Sequence, residues 1–420
     1  LILRFHSGTM RSHISSHSVP FPAGAMAVQE DEAVDETEGV SEEQVLESLG
    51  NVQDPDLGKD IVSLGFVRDL RICGGQVAFT INLTTPACPV KDKMENEARE
   101  HVSSIPGVEQ VSIEMDADTQ GRTIEGDTKA QQTGEDEDTY EFATLNDVKN
   151  IVAVASGKGG VGKSTVAANI ALSLAQDGAK VGLMDADLYG PSIPTMFGIQ
   201  DEKPQATQDK QIVPIKKHGV HTISIGVLQQ DDEDAPTIWR GPIATNMIKQ
   251  FLSGVVWGQL DYLIIDLPPG TGDIQLTLTQ TAPLTGGVIT TTPQNVSLID
   301  ARKGLKMFQK VNVPILGIVE NMSKFVCPDC ESVHHIFREG GGSRTAEAFD
   351  VPLLGEIPID ASIAEGMDEG TPFLVEDRKS PAARSFVDVA RNVAARLSTL
   401  HLKENERETT ESFSIEWSPN

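Results

Sequence analysis

Hydrophobic and polar positions divide the chain into two patterned regions separated by a stretch with almost no apolar periodicity. In the first, residues 41–115, Ser41 and Gln44 spell a capping box, and Val45, Leu46 and Leu49 then share one face of a short helix. Two alternating runs, FVRDLRIC and QVAFTINL, are joined by a glycine pair, which predicts a β-hairpin. A charged amphipathic helix, PVKDKMENEAREHV, and a closing strand, GVEQVSIEM, complete a small α+β unit.

Residues 116–148 are polar and acidic and read as a linker. The second region, 149–398, is α/β. NIVAVAS is a short apolar run bounded by glycine, as expected of a buried strand; GKGGVGKST follows, and VAANIALSLAQDG then runs at the helical period. That order turns the match from Gly157 to Ser164 into a phosphate-binding loop. Its glycines let backbone N–H groups curl inward toward oxyanions, and the helix start adds its positive end. The expected nucleotide contacts are Gly157, Lys158, Gly159, Gly160, Val161, Gly162, Lys163, Ser164 and Thr165, with Lys163 reaching the β- and γ-phosphates and Ser164 ligating Mg²⁺.

Two later strands bring carboxylates. KVGLMDADLYGPSIP places Asp185 and Asp187 at a strand end, where acids beside phosphates can hold Mg²⁺ through water and orient an attacking water. DYLIIDLPPGTGD is a Walker B strand, with Asp266 in the Mg²⁺ shell, Gly270 sensing the γ-phosphate and Asp273 in the same switch.

Composition narrows the function classes. The formal charge, 34 − 62 = −28, argues against a nucleic-acid footprint or an anionic membrane partner. No run approaches the ~20 apolar residues that cross a bilayer. Four cysteines in 420 residues make no disulfide scaffold and fit a reducing compartment. Residues 1–40 read as a leader; the first 29 contain no acid and are rich in Ser, as in an organelle transit peptide or an arbitrary tail. Residues 399–420 read as a tail.

The loop KGGVGKS, with a second lysine at Lys158, resembles the deviant P-loop of the MinD/ParA/nitrogenase-reductase class. That likeness implies that Lys158 crosses a dimer interface to the partner's nucleotide, much as an arginine finger does, and that Asp187 positions the attacking water. Together with Lys163 these are the expected catalytic groups. GPSIP, IWRGPIATNMIKQFL, TTPQNVSLIDARKGLKMF and VENMSKFVCPDC, in this order, resemble the Mrp/ApbC family of P-loop iron–sulfur carriers over essentially all of 149–398. The resemblance places Asn321, Pro358 and Asp360 near adenine. DPDLGKDIVSLGFV and TTPACPVKDKM resemble the small MIP-type iron–sulfur assembly domain, whose functional thiol falls on Cys88. Cys88 sits at a strand-to-helix turn, where free helix N–H groups could lower a thiol pKa. Cys73, outside that motif, reads as a packing residue. SFSIEWSPN resembles the opening strand of the extra C-terminal domain of a plastid branch.

FVCPDC puts two thiols, Cys327 and Cys330, two residues apart. Three readings apply: a thioredoxin-like redox pair, a zinc site closed by His334 and His335, or half of a site completed by a second protomer. Four thiolates hold a [4Fe–4S] cluster, and a trans-acting Lys158 requires a face-to-face pair. The expectation is an ATP- and Mg²⁺-dependent homodimeric carrier that hands a [4Fe–4S] cluster to acceptor apoproteins, with no nucleic acid or membrane partner. Cys88 serves as a transfer thiol in that scheme. The competing expectation is a ParA/MinD-like positioning ATPase, which would want a basic surface or a terminal amphipathic helix. The resemblances imply plastid targeting, with the mitochondrial matrix or cytosol as alternatives.

Overall fold

The computed structural model describes residues 40–73, 75–119, 121, 143–228 and 241–412. The leader, most of the acidic linker and the SFSIEWSPN segment after Ser412 lie outside the described residues. Chain from Val40 onward clusters as one unit built around two hydrophobic cores.

The smaller core begins with α1 (Glu42–Leu49). Its capping box is formed on both sides: Gln44 N–H donates to Ser41 Oγ at 3.2 Å and Ser41 N–H to Gln44 Oε1 at 3.0 Å. Two of four free helix donors or their neighbours are thereby satisfied, and Val45 and Leu49 are buried beneath. Strands β1 (Val67–Cys73) and β2 (Gln76–Leu83) pair antiparallel as the hairpin pattern predicts. After α2 (Lys91–Ser103), β3 (Gln110–Ala117) returns to pair parallel with β2. Cys73 is exposed on the edge strand β1, which corrects its reading as a packing residue. The alternation that buries one face of an edge strand leaves its other face in solvent.

The larger core surrounds an eight-stranded sheet. Its strands are β4 (Val148–Ser156), β5 (Val181–Asp185), β6 (Ile215–Lys217), β7 (Val220–Ser224), β8 (Leu260–Asp266), β9 (Gly286–Thr291), β10 (Ile315–Glu320) and, after a small hairpin, Leu353–Glu356. In space the order is β6, β7, β5, β8, β4, β9, β10, then Leu353–Glu356, all parallel except the β6–β7 pair. Strands β4, β5, β8 and β9 are almost wholly buried, which explains their continuous apolar runs. Helix α3 (Lys163–Gln176) follows β4, and α4 (Asn295–Lys310) follows β9. The last helix, α5 (Pro381–Ser412), packs along α3 and continues past residue 398.

The two cores meet at one loop. Thr85 Oγ1 and Tyr262 Oη are 2.8 Å apart and buried, and Thr84 Oγ1 donates to Ser398 Oγ at 3.0 Å. Ala87 belongs to the larger core although it lies in the TTPACP turn of the smaller region.

Candidate functional site

Parallel order carries the ends of β4, β8 and β5 to one edge of the sheet. Asp266 and Asp185 are register partners across β8 and β5, so their carboxyl groups lie side by side. Both are fully buried, and burial pushes both acids up from the ordinary carboxylate range; for Asp185 the neighbouring Asp266 charge adds to the effect. Ser224 Oγ, from the end of β7, donates to Asp185 Oδ2 at 2.9 Å and opposes that shift. Burial likewise raises Asp187, while Lys163 beside it opposes the rise.

Lys163, the first residue of α3, is buried among these acids. Its Nζ lies 2.6 Å from Asp266 Oδ1, 3.7 Å from Asp187 Oδ2 and 3.2 Å from Ser164 Oγ. A lysine so desolvated is held by its counter-charges. Gly162 caps α3 at φ 79° with no side-chain cap, and Gly160 has φ 78°. The loop therefore leaves the first N–H groups of α3 without a side-chain cap, the arrangement that suits phosphate. Asp266 Oδ2 is buried with no hydrogen-bond partner among the described residues. That orphaned oxygen, next to the Ser164 hydroxyl and Asp185, fits a hydrated divalent cation such as Mg²⁺.

The remaining loop residues frame this cradle. Gly157 lies so close to the Asp300–Ala301 backbone of α4 that no Cβ would fit. Lys158 is half-buried, and its carbonyl accepts from Ser156 Oγ at 2.9 Å. Gly159 and Gly160 are exposed, Val161 is buried, and Thr165 O accepts from Asn169 Nδ2 inside α3. Gly270, φ 98°, donates its N–H to Ser156 O at 3.0 Å, which brings the segment after Asp266 against the loop's start. Asp273 opens the helix Asp273–Thr281. Asn321, buried, donates from Nδ2 to Val161 O at 2.9 Å. Pro358 is buried, and Asp360 caps the helix Ala361–Asp368 through Ser362 N–H.

Cys327 and Cys330 occupy a separate projection that follows β10. The hairpin pairs Phe325–Val326 with Val333–His334, and Cys327 N–H donates to Ser332 O at 3.0 Å across it. Glu331, at φ 58°, returns its N–H to Cys327 O at 2.9 Å and closes the turn. Cys327 is half-buried and Cys330 exposed. The Ser332 hydroxyl, 3.0 Å from Cys330 Sγ, holds that thiol below its ordinary pKa, with the Ser332 N–H and Cys327 adding to the effect. His334 Nε2 is 2.9 Å from Ser332 Oγ, and His335 Nδ1 faces Ser323 O at 3.4 Å. Among the described residues no group of three or more His, Cys, Asp or Glu could hold a metal ion, so the zinc arrangement of these thiols with His334 and His335 is not assembled within one chain.

Cys88 behaves differently from the expectation for a helix start. Burial pushes its thiol up to about 11, the Val90 N–H opposes the rise, and the Asp54 and Asp56 charges add to it. The turn is packed between cores, and desolvation of the thiolate outweighs the helix end.

Three groups in this account were not signalled by the motifs: Ser224, Ser332 and the Asn321–Val161 contact. Ser224 ends a strand at the same edge as the acids, and Ser332 follows two residues after Cys330; position alone could have flagged both. Among the described residues no helix is long and apolar enough to cross a membrane.

Residues 147–394 match the family model described as NUBPL iron-transfer P-loop NTPase, and residues 42–114 match that of an iron–sulfur cluster assembly protein. An iron–sulfur cluster carrier protein of Synechocystis is 46% identical over 84% of this chain and 97% of its own length. The chloroplastic Fe-S cluster assembly factor HCF101 of Arabidopsis thaliana is 45% identical over 83% of this chain and 63% of its own. Among solved structures, a nucleotide-binding protein of Archaeoglobus fulgidus in complex with ADP is 39% identical, with a TM-score of 0.51 over 58% of this chain and 94% of that one. With the nucleotide loop and its carboxylates on the matched strands, this chain belongs to the NUBPL iron-transfer P-loop NTPase family and carries an iron–sulfur cluster assembly domain ahead of it.

Proposed function

We propose that the protein is an ATP-dependent iron–sulfur cluster carrier in which two protomers share one [4Fe–4S] cluster and deliver it to acceptor apoproteins. The observation that carries this reading is the Cys327–Cys330 hairpin: two accessible thiols, one held toward its thiolate form, with no third ligand assembled beside them among the described residues. Two such hairpins supply the four thiolates that the cluster takes. Val326 and Val333, register partners on the hairpin, are 40% and 53% exposed, and Ile336 at 57% follows. An apolar rim of this kind supports pairing around the cysteines.

ATP enters beside Lys163. In the described state that lysine neutralises Asp266 and approaches Asp187; the triphosphate competes for it, and Mg²⁺ bound near Ser164, Asp185 and Asp266 would then offset the acids and polarise the phosphate. Asp187 orients the attacking water. Lys158 of one protomer reaches the triphosphate of its partner, adding positive charge as the transition state forms. Val296 and Ile299, 64% and 55% exposed on α4 beside the loop, belong to the face that would close. Hydrolysis loosens the pair and separates the two halves of the cluster site.

The turn that carries Cys88 meets β8 near its amino end, through the Thr85–Tyr262 contact, whereas Asp266 ends the same strand at the nucleotide edge. A relay through Cys88 therefore requires the small region to leave this docked position. The likeness to a chloroplastic relative supports a plastid as the site of action.

Anaerobic reconstitution of wild type and a Cys327→Ala, Cys330→Ala double variant tests the assignment. Wild type is expected to retain iron and sulfide near four of each per pair of chains; equal retention by the double variant removes the claim.

A further inference from the structure

One short run of chain, Asn321 to Val326, separates the phosphate loop from the paired thiols, and it is bonded to rigid structure almost residue by residue. Asn321 N–H donates to Thr291 O at the end of β9, at 2.8 Å. Its side chain works in two directions: Nδ2 donates to Val161 O at 2.9 Å, and Oδ1 accepts from Met322 N–H at 3.0 Å. Met322 has φ 56°, a left-handed conformation that is unfavourable for a non-glycine residue, and the Asn321 acceptor supports it. The Ser323 N–H and hydroxyl both donate to Ile357 O, at 2.9 and 3.0 Å. Ile359 N–H donates to Lys324 O at 2.7 Å, and Phe325 bridges Ile359. Val326 then enters the hairpin, and Cys327 follows.

Sheet order makes this run the direct route. The segments after Asp185 and Asp266 follow β5 and β8, on one side of β4. The thiol hairpin follows β10, on the other side of β4, beyond β9. Asn321 spans from the hairpin's root to the loop itself, and Gly162 permits the approach, since a Cβ there would overlap Asn321 Nδ2.

We propose that Asn321 is a positioning residue that couples the phosphate loop to the thiol hairpin. The inference rests on the reading of Cys327 and Cys330 as the cluster ligands. When phosphate oxygens draw the loop's N–H groups inward, the Val161 peptide is constrained at its carbonyl by Asn321. A change in that peptide alters the hold on the Met322 turn and, through Ser323 and Phe325, the setting of Cys327. Coupling of this kind is reciprocal: occupancy of the thiols changes nucleotide affinity by the same factor.

The test measures alkylation rates of Cys327 and Cys330, resolved by peptide mass spectrometry, in the full-length protein without cluster. Rates are compared with and without a saturating non-hydrolysable ATP analogue and Mg²⁺, at a concentration where light scattering reads single chains. Nucleotide is expected to change the wild-type Cys327 rate by about fivefold or more. Asn321→Asp keeps the acceptor for Met322 but cannot donate to Val161; Asn321→Ala loses both contacts. Each variant is expected to lose most of the response at a nucleotide concentration that titration shows to be saturating for it, any adenine contact of Asn321 being read separately as a change in affinity. A wild type that shows no response overturns the coupling, as does a nucleotide-bound variant that responds like wild type. A loss of nucleotide binding that no concentration restores in either variant also overturns it, because Asn321 would then serve the nucleotide alone. Cluster retention by wild type in a parallel reconstitution survives all three results and fails only if the carrier reading fails.

Discussion

The CPDC hairpin and the TTPACP turn look alike in sequence, each a cysteine beside proline in a short polar loop, yet the fold gives them opposite chemistry. Cys330 is exposed, and the Ser332 hydroxyl and N–H stabilise its thiolate. Cys88 is packed where the smaller core meets the larger, and burial raises it from 9.0 to about 11. A shift of that size corresponds to roughly 3 kcal/mol against the thiolate. A helix N-terminus at a partly exposed site supplies only about 0.3–1 kcal/mol, so the turn's place before α2 cannot rescue it. Reactivity is decided by what covers the sulfur more than by the motif around it. The hairpin leaves Cys330 open to solvent, and the turn, as docked, covers most of Cys88.

The largest expected effect follows from that contrast. At pH 8 Cys88 should carry about a hundredfold less thiolate than a thiol of pKa 9, so iodoacetamide should label Cys330 at least that much faster than Cys88. Comparable rates at the two positions would break the comparison. The pH dependence has a definite sign. Between pH 9 and 11 the folded protein holds the Cys88 proton that the unfolded chain has lost, so stability should fall as pH rises through that window, and Cys88→Ala should flatten the fall.

Next in size is Gly162→Ala. The substitution forces a side chain into φ 79° and against Asn321 Nδ2. Nucleotide affinity should drop by tenfold or more, on the order of 1.4 kcal/mol, read by calorimetric titration. Retained affinity would show that the loop is not held in this shape.

Tyr262→Phe should be milder. It removes one of the two hydrogen bonds at the buried Thr85 hydroxyl, which still accepts from the Ala87 N–H, costing about 0.5–1 kcal/mol of stability in denaturant melts. It should also speed Cys88 labelling several-fold by loosening the docked turn, while Cys330 labelling stays put. Unchanged Cys88 labelling would uncouple docking from the raised thiol. The smallest change is expected from Val333→Thr on the exposed hairpin face, within about 0.5 kcal/mol in stability. Its effect should appear in pairing of the cluster-loaded protein, measured by light scattering.

What the sequence made readable is what depends on neighbours along the chain. The phosphate loop needs a strand, glycines and a helix in immediate succession, and β4, the loop and α3 stand in that order. The capping box at Ser41 and the hairpin through Gly75 are equally local. The contacts that tune the sites are distant. Ser224 reaches Asp185 across 39 residues, Asn321 reaches Val161 across 160, and Thr85 reaches Tyr262 across 177. No periodicity encodes such meetings, because they depend on strand order and on how one core seats against the other. Cys73 illustrates the same limit: its exposure follows from β1 being an edge strand, a property of the assembled sheet. The helix α5 outruns the expected end at residue 398 because LSTLHLKENERE keeps good helix formers after its apolar face thins.

The proposed carrier needs two chains for each cluster, because one chain supplies two of the four thiolates. Native mass spectrometry of the anaerobically reconstituted, nucleotide-loaded protein addresses it most directly. Two chains per cluster are expected, with no cluster mass on either the pair or the single chain when Cys327 and Cys330 are replaced. A cluster carried by a single chain would contradict it.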